Sequence, residues 1–115
     1  MTLQQAIARQ EGFGIAGTRA TLNHNPGNIR YGTFAKLHGA TDNDGAGYAV
    51  FPDDATGEAA LTALLSNPPY KGLTVTQALN KYAPAGDGNA PQIYIDNVCG
   101  WCPCTPSTVI DGLLG

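Results

Sequence analysis

The sequence predicts an α+β fold, mainly α, of about five helices with a small two-stranded β element. Three observations lead there. Two Thr-x-x-Gln capping boxes, Thr2 with Gln5 and Thr74 with Gln77, each open a helix. Apolar residues recur at helical spacing over 59–65, 75–82 and 94–98. Alternation suited to a strand is confined to Ile29-Arg30-Tyr31 and Tyr48-Ala49-Val50-Phe51.

The first helix is expected over residues 2–11, with Leu3, Ile7 and Glu11 on one face and Gly12 as the C′ residue that ends it. Residues 12–28 carry glycines and a polar Asn23-His24-Asn25 run and read as loop, turned at Pro26-Gly27 with φ > 0 expected at Gly27. The two short apolar runs are expected to pair with each other, and residues 39–47 between them to form a loop. Asp53 or Asp54 caps a helix with Ala59, Ala60, Leu61, Leu64 and Leu65 inward, stopped at Asn67-Pro68-Pro69. The helix opened by Thr74 turns Val75, Ala78, Leu79 and Tyr82 inward and ends before Pro84. Asn89 or Ala90 starts the next, with Pro91 in its first turn and Tyr94 and Val98 on one face. Thr105-Pro106 begins a last short helix holding Val109, Ile110 and Leu113.

Residues 1–115 form a single domain on this reading, long enough to bury roughly two-thirds of the unfolded surface. Only six Lys and Arg, unclustered, and a net charge of −3 argue against nucleic acid as a partner. No apolar run approaches the ~18 residues of a membrane span, so no membrane insertion is expected. The polar N-terminus has no signal-peptide apolar region, which leaves another export route or a longer parent chain. The low charge and the many glycines and prolines suit a groove built from backbone and amide groups.

Glu11 is one of two glutamates, and its face of the first helix is the one expected to meet the core. Partial burial and the negative helix end would both raise its pKa, as a general acid requires. The bland alternative is a surface residue in a frayed last turn. Asn25-Pro26-Gly27-Asn28 sets two amides around a turn, suited either to an acetamido sugar or to bonding their own backbone. Tyr82 at a helix end, the Gly86-Asp87-Gly88-Asn89 loop and Tyr94 suit either a cleft or core packing and capping.

Glu11, the Asn25-to-Arg30 run, the Tyr48–Phe51 strand with Gly57 and a leucine helix, and Tyr82-Ala83-Pro84 with Asp87-Gly88-Asn89 and Tyr94 occur in that order. Together they resemble the lysozyme-like superfamily, most closely lytic transglycosylases and autolysin glucosaminidase domains, phage-borne ones included. The likeness covers most of residues 3–98. It implies a lysozyme-like fold that cleaves the β-1,4 glycan strands of bacterial peptidoglycan, acting on the cell wall or periplasm or within a virion. Glu11 takes the place of the catalytic acid. Asn25, Asn28, Tyr31, Tyr82, Asn89 and Tyr94 are the expected substrate-binding residues. His24 departs from the pattern, where a further asparagine is expected.

Two-carboxylate glycosidases need a base or nucleophile opposite the acid. Glu58 reads as a solvated helix residue, and Asp42, Asp44 and Asp87 lie in turn sequence. A single-acid mechanism assisted by the substrate's N-acetyl group is therefore implied, with anhydro-sugar formation preferred to hydrolysis. No cofactor and no metal are expected, and the chain is expected to act as a monomer. The rival reading is a non-catalytic wall-binding or virion module of the same fold. Asp42-Asn43-Asp44-Gly45 fails as a calcium loop because Phe51 stands where an EF-hand needs glutamate. Cys99, Cys102 and Cys104 suggest one local disulfide and a spare thiol in an oxidising compartment, ahead of a zinc site completed by His24 or His38 or a redox motif.

Overall fold

A computed structural model of the chain describes residues 1–83 and 90–115. It is mainly helical, with six α-helices and a two-stranded antiparallel sheet among the described residues. Two compact units divide it, Ile7–Ala63 and Met1–Ala6 with Leu64–Gly115.

The first helix, α1 (Leu3–Gln10), starts at the expected capping box. Thr2 N–H donates to Gln5 Oε1 at 2.9 Å and Gln5 N–H to Thr2 Oγ1 at 3.2 Å.

Within Ile7–Ala63, the stretch expected as loop contains α2 (Arg19–Leu22), because Thr18 supplies an N-cap that accepts from Thr21 N–H. A further unexpected helix, α3 (Thr33–Leu37), follows Gly32. The sheet joins β1 (Asp42–Asn43) to β2 (Ala49–Val50), with Asp42 opposite Val50 and Asn43 opposite Ala49. The expected strand partner, Ile29–Tyr31, makes only the single bridge Arg30–Tyr48. Ala49 N–H still donates to Ile29 O at 2.9 Å, but the Asn25 amide stands between Ile29 N–H and Ala49 O and bonds both, so the ladder goes no further. The residues read as a plain loop instead form the hairpin turn. Asn43 Oδ1 accepts from the N–H groups of Gly45 and Gly47, and Asp44 Oδ1 from those of Ala46 and Tyr48. Ile7, Ala20, Ile29, Ala35, Ala49, Phe51, Ala60 and Leu61 are the buried apolar residues of this unit.

Helix α4 (Asp54–Ser66) is capped by Asp53, whose Oδ1 accepts from Thr56 N–H at 2.8 Å. Ala60, Leu61 and Leu65 are buried as expected, but Ala59 is exposed, one position off the inward stripe. In the other unit, the Thr74–Gln77 box opens α5 (Val75–Tyr82), and Pro91 lies in the first turn of α6 (Pro91–Trp101). The segment 105–111 runs along residues 72–76. Val75 N–H donates to Thr108 O, Thr76 N–H to Pro106 O and Ile110 N–H to Leu73 O. The final helix is a 3₁₀ turn over Ile110–Leu113, and Val109 precedes it, 46% exposed and bridged to Thr74 rather than helical. No described helix is long and apolar enough to cross a membrane.

Candidate active site

Glu11 is placed by the way α1 ends. Gly12 N–H bonds Arg9 O at 3.1 Å and Phe13 N–H bonds Ala8 O at 3.0 Å, while Gly12 takes φ of 87°. This is the paired bonding of a Schellman motif, with Glu11 as the C-cap and Gly12 at C′. The helix therefore fixes the backbone of Glu11 at the point where the chain leaves it. Thr18 holds the departing loop by donating to Gly12 O at 2.8 Å. Glu11 is half-buried.

The second part of the site is the turn at 25–28. Asn25 is fully buried, and its side chain is spent on backbone. Nδ2 donates to Ile29 O at 3.0 Å and to Ala49 O at 2.9 Å, and Oδ1 accepts from Ile29 N–H at 3.0 Å. Asn28 N–H closes the turn on Asn25 O at 3.0 Å, and Asn28 itself adopts a left-handed φ of 48°. Asparagine accepts that conformation more readily than most residues. The result aims the Asn28 amide at the Glu11 carboxyl, with Nδ2 donating to Glu11 Oε1 at 2.9 Å. Asn28 Oδ1 is buried and has no hydrogen-bond partner among the described residues. A buried acceptor left so costs about 1–3 kcal/mol.

No protein-family model, curated protein or solved structure matches this chain. The chemistry of the site is read from its own geometry. That geometry is a carboxyl group that accepts from the Asn28 amide, whose own oxygen has no partner among the described residues.

The turn rests on α4 through Gly57. A Cβ at Gly57 would collide with His24 O and lie 2.8 Å from Pro26 Cδ. Nearby, the Tyr48 ring lies between two guanidinium groups, Arg19 at 4.1 Å and Arg30 at 4.4 Å from its centroid. Asp44 Oδ2 accepts from Asn23 Nδ2 at 2.9 Å and pairs with Arg19 at 3.4 Å. The hydrogen bond from Asn23 does most to hold the Asp44 carboxyl below its ordinary pKa of 3.8, and the N–H groups of Ala46 and Tyr48 and the Arg19 charge add to it. With both oxygens engaged, Asp44 organises the hairpin. Asp42 and Glu58 are exposed.

Of the residues expected at the site, Glu11 and Asn28 are brought together, and Asn25 serves as the scaffold beneath them. Tyr31 is half-buried, its N–H bonded to Gly47 O at 2.9 Å and its ring 5.1 Å from Lys36 Nζ. Tyr82 and Tyr94 belong to the other unit. Tyr82, at the end of α5, is half-buried and meets Tyr70 edge-on with centroids 6.2 Å apart, and Tyr94 on α6 is buried. Asn89 and residues 84–88 before it lie outside the described residues. His24 engages Asp54 at 2.7 Å and His38 stacks on Phe34 at 4.3 Å. Among the described residues, no group of three His, Cys, Asp or Glu side chains is arranged to hold a metal ion.

Sequence reasoning missed Asn23, Asp44 and Gly57 as supports of the site. For Gly57 a signal existed, since glycine inside a leucine-rich helix marks close backbone approach. Asn23 and Asp44 carried none, being ordinary loop residues in ordinary loop sequence.

Proposed function

We propose that this chain cleaves the glycan strands of peptidoglycan, with Glu11 as the single acid and base of a lysozyme-like fold. The observation that carries the proposal is Asn28, whose amide nitrogen donates to Glu11 Oε1 while its buried oxygen has no partner among the described residues. One amide can thus orient the acid and accept a hydrogen bond from the N–H of an acetamido sugar. Such an arrangement suits a substrate whose own acetamido group takes part in the reaction.

Glu11 gives its proton to the glycosidic oxygen as the bond to C1 breaks. The acetamido carbonyl oxygen closes on C1 and carries the developing positive charge, in place of a second protein carboxylate. The Glu11 carboxylate then takes the proton of the sugar 6-hydroxyl, which closes an anhydro ring as the acetamido group leaves. If water is admitted instead, the same carboxylate activates it and a reducing end results. The engagement of Asp44 within the hairpin favours a route with one acid, and the anhydro product is the preferred outcome.

The test is digestion of purified peptidoglycan followed by mass spectrometry of the released muropeptides. Anhydro and reducing ends differ by one water, so the products report the route. Glu11→Gln is expected to lower release by roughly 10²–10⁴-fold, the usual contribution of a general acid. Undiminished release by this variant would remove Glu11 from the mechanism. Wall binding without any released fragments would point to a binding module of the same fold.

A further inference from the structure

We propose that Cys99 and Cys104 are a redox pair that closes an intramolecular disulfide, leaving Cys102 as the unbridged thiol. All three cysteines are free, and Cys104 Sγ lies 3.5 Å from Cys99 Sγ, with the Cys104 thiol donating to the Cys99 sulfur. The chain creates this approach locally. Cys99 lies in the last turn of α6, and Cys102 caps that helix by donating its N–H to Val98 O at 2.8 Å. Pro103 cannot continue the helix, and the turn there brings Cys104 back over Cys99. Both sulfurs belong to half-exposed residues, whereas Cys102 is 2% exposed in the core of its unit.

Spacing alone would favour Cys99 with Cys102, one helical turn apart. Burial argues against it, because an oxidant must reach the first sulfur attacked. Cys102 also neighbours Cys104, but a bridge between them would close a small ring across Pro103 alone. Burial first, then the adjoining sulfurs, push the Cys104 thiol up to about 12. With its thiol proton directed at the Cys99 sulfur, Cys104 is the donor of the pair, and Cys99 is the sulfur that reacts first.

The oxidant is a low-molecular-weight disulfide of the glutathione type. The Cys99 thiolate attacks one of its sulfurs, the oxidant's S–S bond breaks, and one thiolate departs from a mixed disulfide on Cys99. Cys104 then gives its proton to the departed thiolate, and its sulfur attacks Cys99 Sγ and expels the second thiolate, which takes a proton from solvent. Two electrons and two protons pass from the cysteine pair to the oxidant, giving two thiols. The new bond ties the end of α6 to the segment that pairs with residues 72–76.

The experiment equilibrates the full chain in oxidised glutathione, alkylates remaining thiols under denaturing conditions and maps the peptides. Chymotryptic cleavage after Trp101 separates Cys99 from the other two, and fragmentation before Pro103 distinguishes Cys102 from Cys104. The expected map is a Cys99–Cys104 bridge with Cys102 alkylated, so that free thiols fall from three to one. Cys104→Ser is expected to stop at a mixed disulfide on Cys99. A bridge that includes Cys102, three alkylated thiols, a persistent mixed disulfide in the wild type, or an intramolecular bridge in Cys104→Ser would each overturn the proposal.

Discussion

Glu11 and Asn28 are 17 positions apart in sequence, and what joins them is two residues in left-handed backbone, Gly12 and Asn28. Gly12 ends the helix so that Glu11 is its cap, and Asn28 turns its amide back toward that cap. The two asparagines of the turn separate into different jobs. Asn28→Gly keeps the left-handed backbone and removes only the amide. It is expected to leave the denaturation midpoint nearly unchanged while glycan release falls on the order of 10²-fold, the effect of a misplaced acid. Asn25→Ala removes three bonds to backbone and strands Ile29 and Ala49 in the interior. Urea unfolding should show a loss of about 3 kcal/mol, from more than one unsatisfied buried group. If Asn25→Ala kept full stability, the scaffold role assigned to it would fail.

At the scale of elements, α4 supports the site by what it lacks. Glycine inside a helix is less stable than alanine by roughly 1 kcal/mol. The turn of His24 and Pro26 lies so close to α4 that Gly57 is the residue that fits. Gly57→Ala, which raises stability in an ordinary helix, is expected to lower it here by roughly 1–3 kcal/mol through overpacking. Glycan release should fall with it, because the turn that must shift also aims Asn28. A variant as stable as the wild type in urea would mean that the turn does not rest on the helix. The hairpin of β1 and β2 is likewise held by side chains, with Asn43 and Asp44 bonding four backbone N–H groups around it. This explains how strands of two residues each form a defined sheet.

For the whole molecule, carboxylates held below their ordinary pKa set the acid limit of stability. Asp44 is lowered first by Asn23, and Asp53 first by the Thr56 hydroxyl. Each binds its proton less readily folded than unfolded, so its stabilising effect is complete above the unfolded value of 3.8. That effect is lost as pH falls through the lower folded value. The thermal midpoint of the wild type should therefore drop steeply below about pH 4. Asp44→Asn should start lower at neutral pH and show a shallower acid limb. Parallel acid limbs in the two proteins would exclude Asp44 from this linkage. With a net charge of −3, long-range attraction to an anionic wall would be weak, so on the proposed function recognition would fall to short-range polar groups such as the Asn28 amide.

Local rules by themselves determined the helix starts at Thr2, Asp53 and Thr74, the helix end at Gly12, the strand at Tyr48–Phe51 and the mainly helical class. Each depends on residues within one or two turns of each other, where capping and periodicity act directly. The partner of β2, the helices at Arg19 and Thr33 and the division between Asn25 and Asn28 were decided by tertiary structure. Ile29-Arg30-Tyr31 reads as a strand and does bridge to Tyr48, but the Asn25 amide takes the Ile29 N–H and the Ala49 carbonyl that would extend the ladder, and nothing local reveals that competition. The same holds for the site. Glu11 stands out in the sequence because a glutamate on an apolar stripe is anomalous, whereas its bond to Asn28 does not, since that depends on an amide from a separate turn. Only the folded chain brings that amide to Glu11 and leaves its other end without a partner among the described residues.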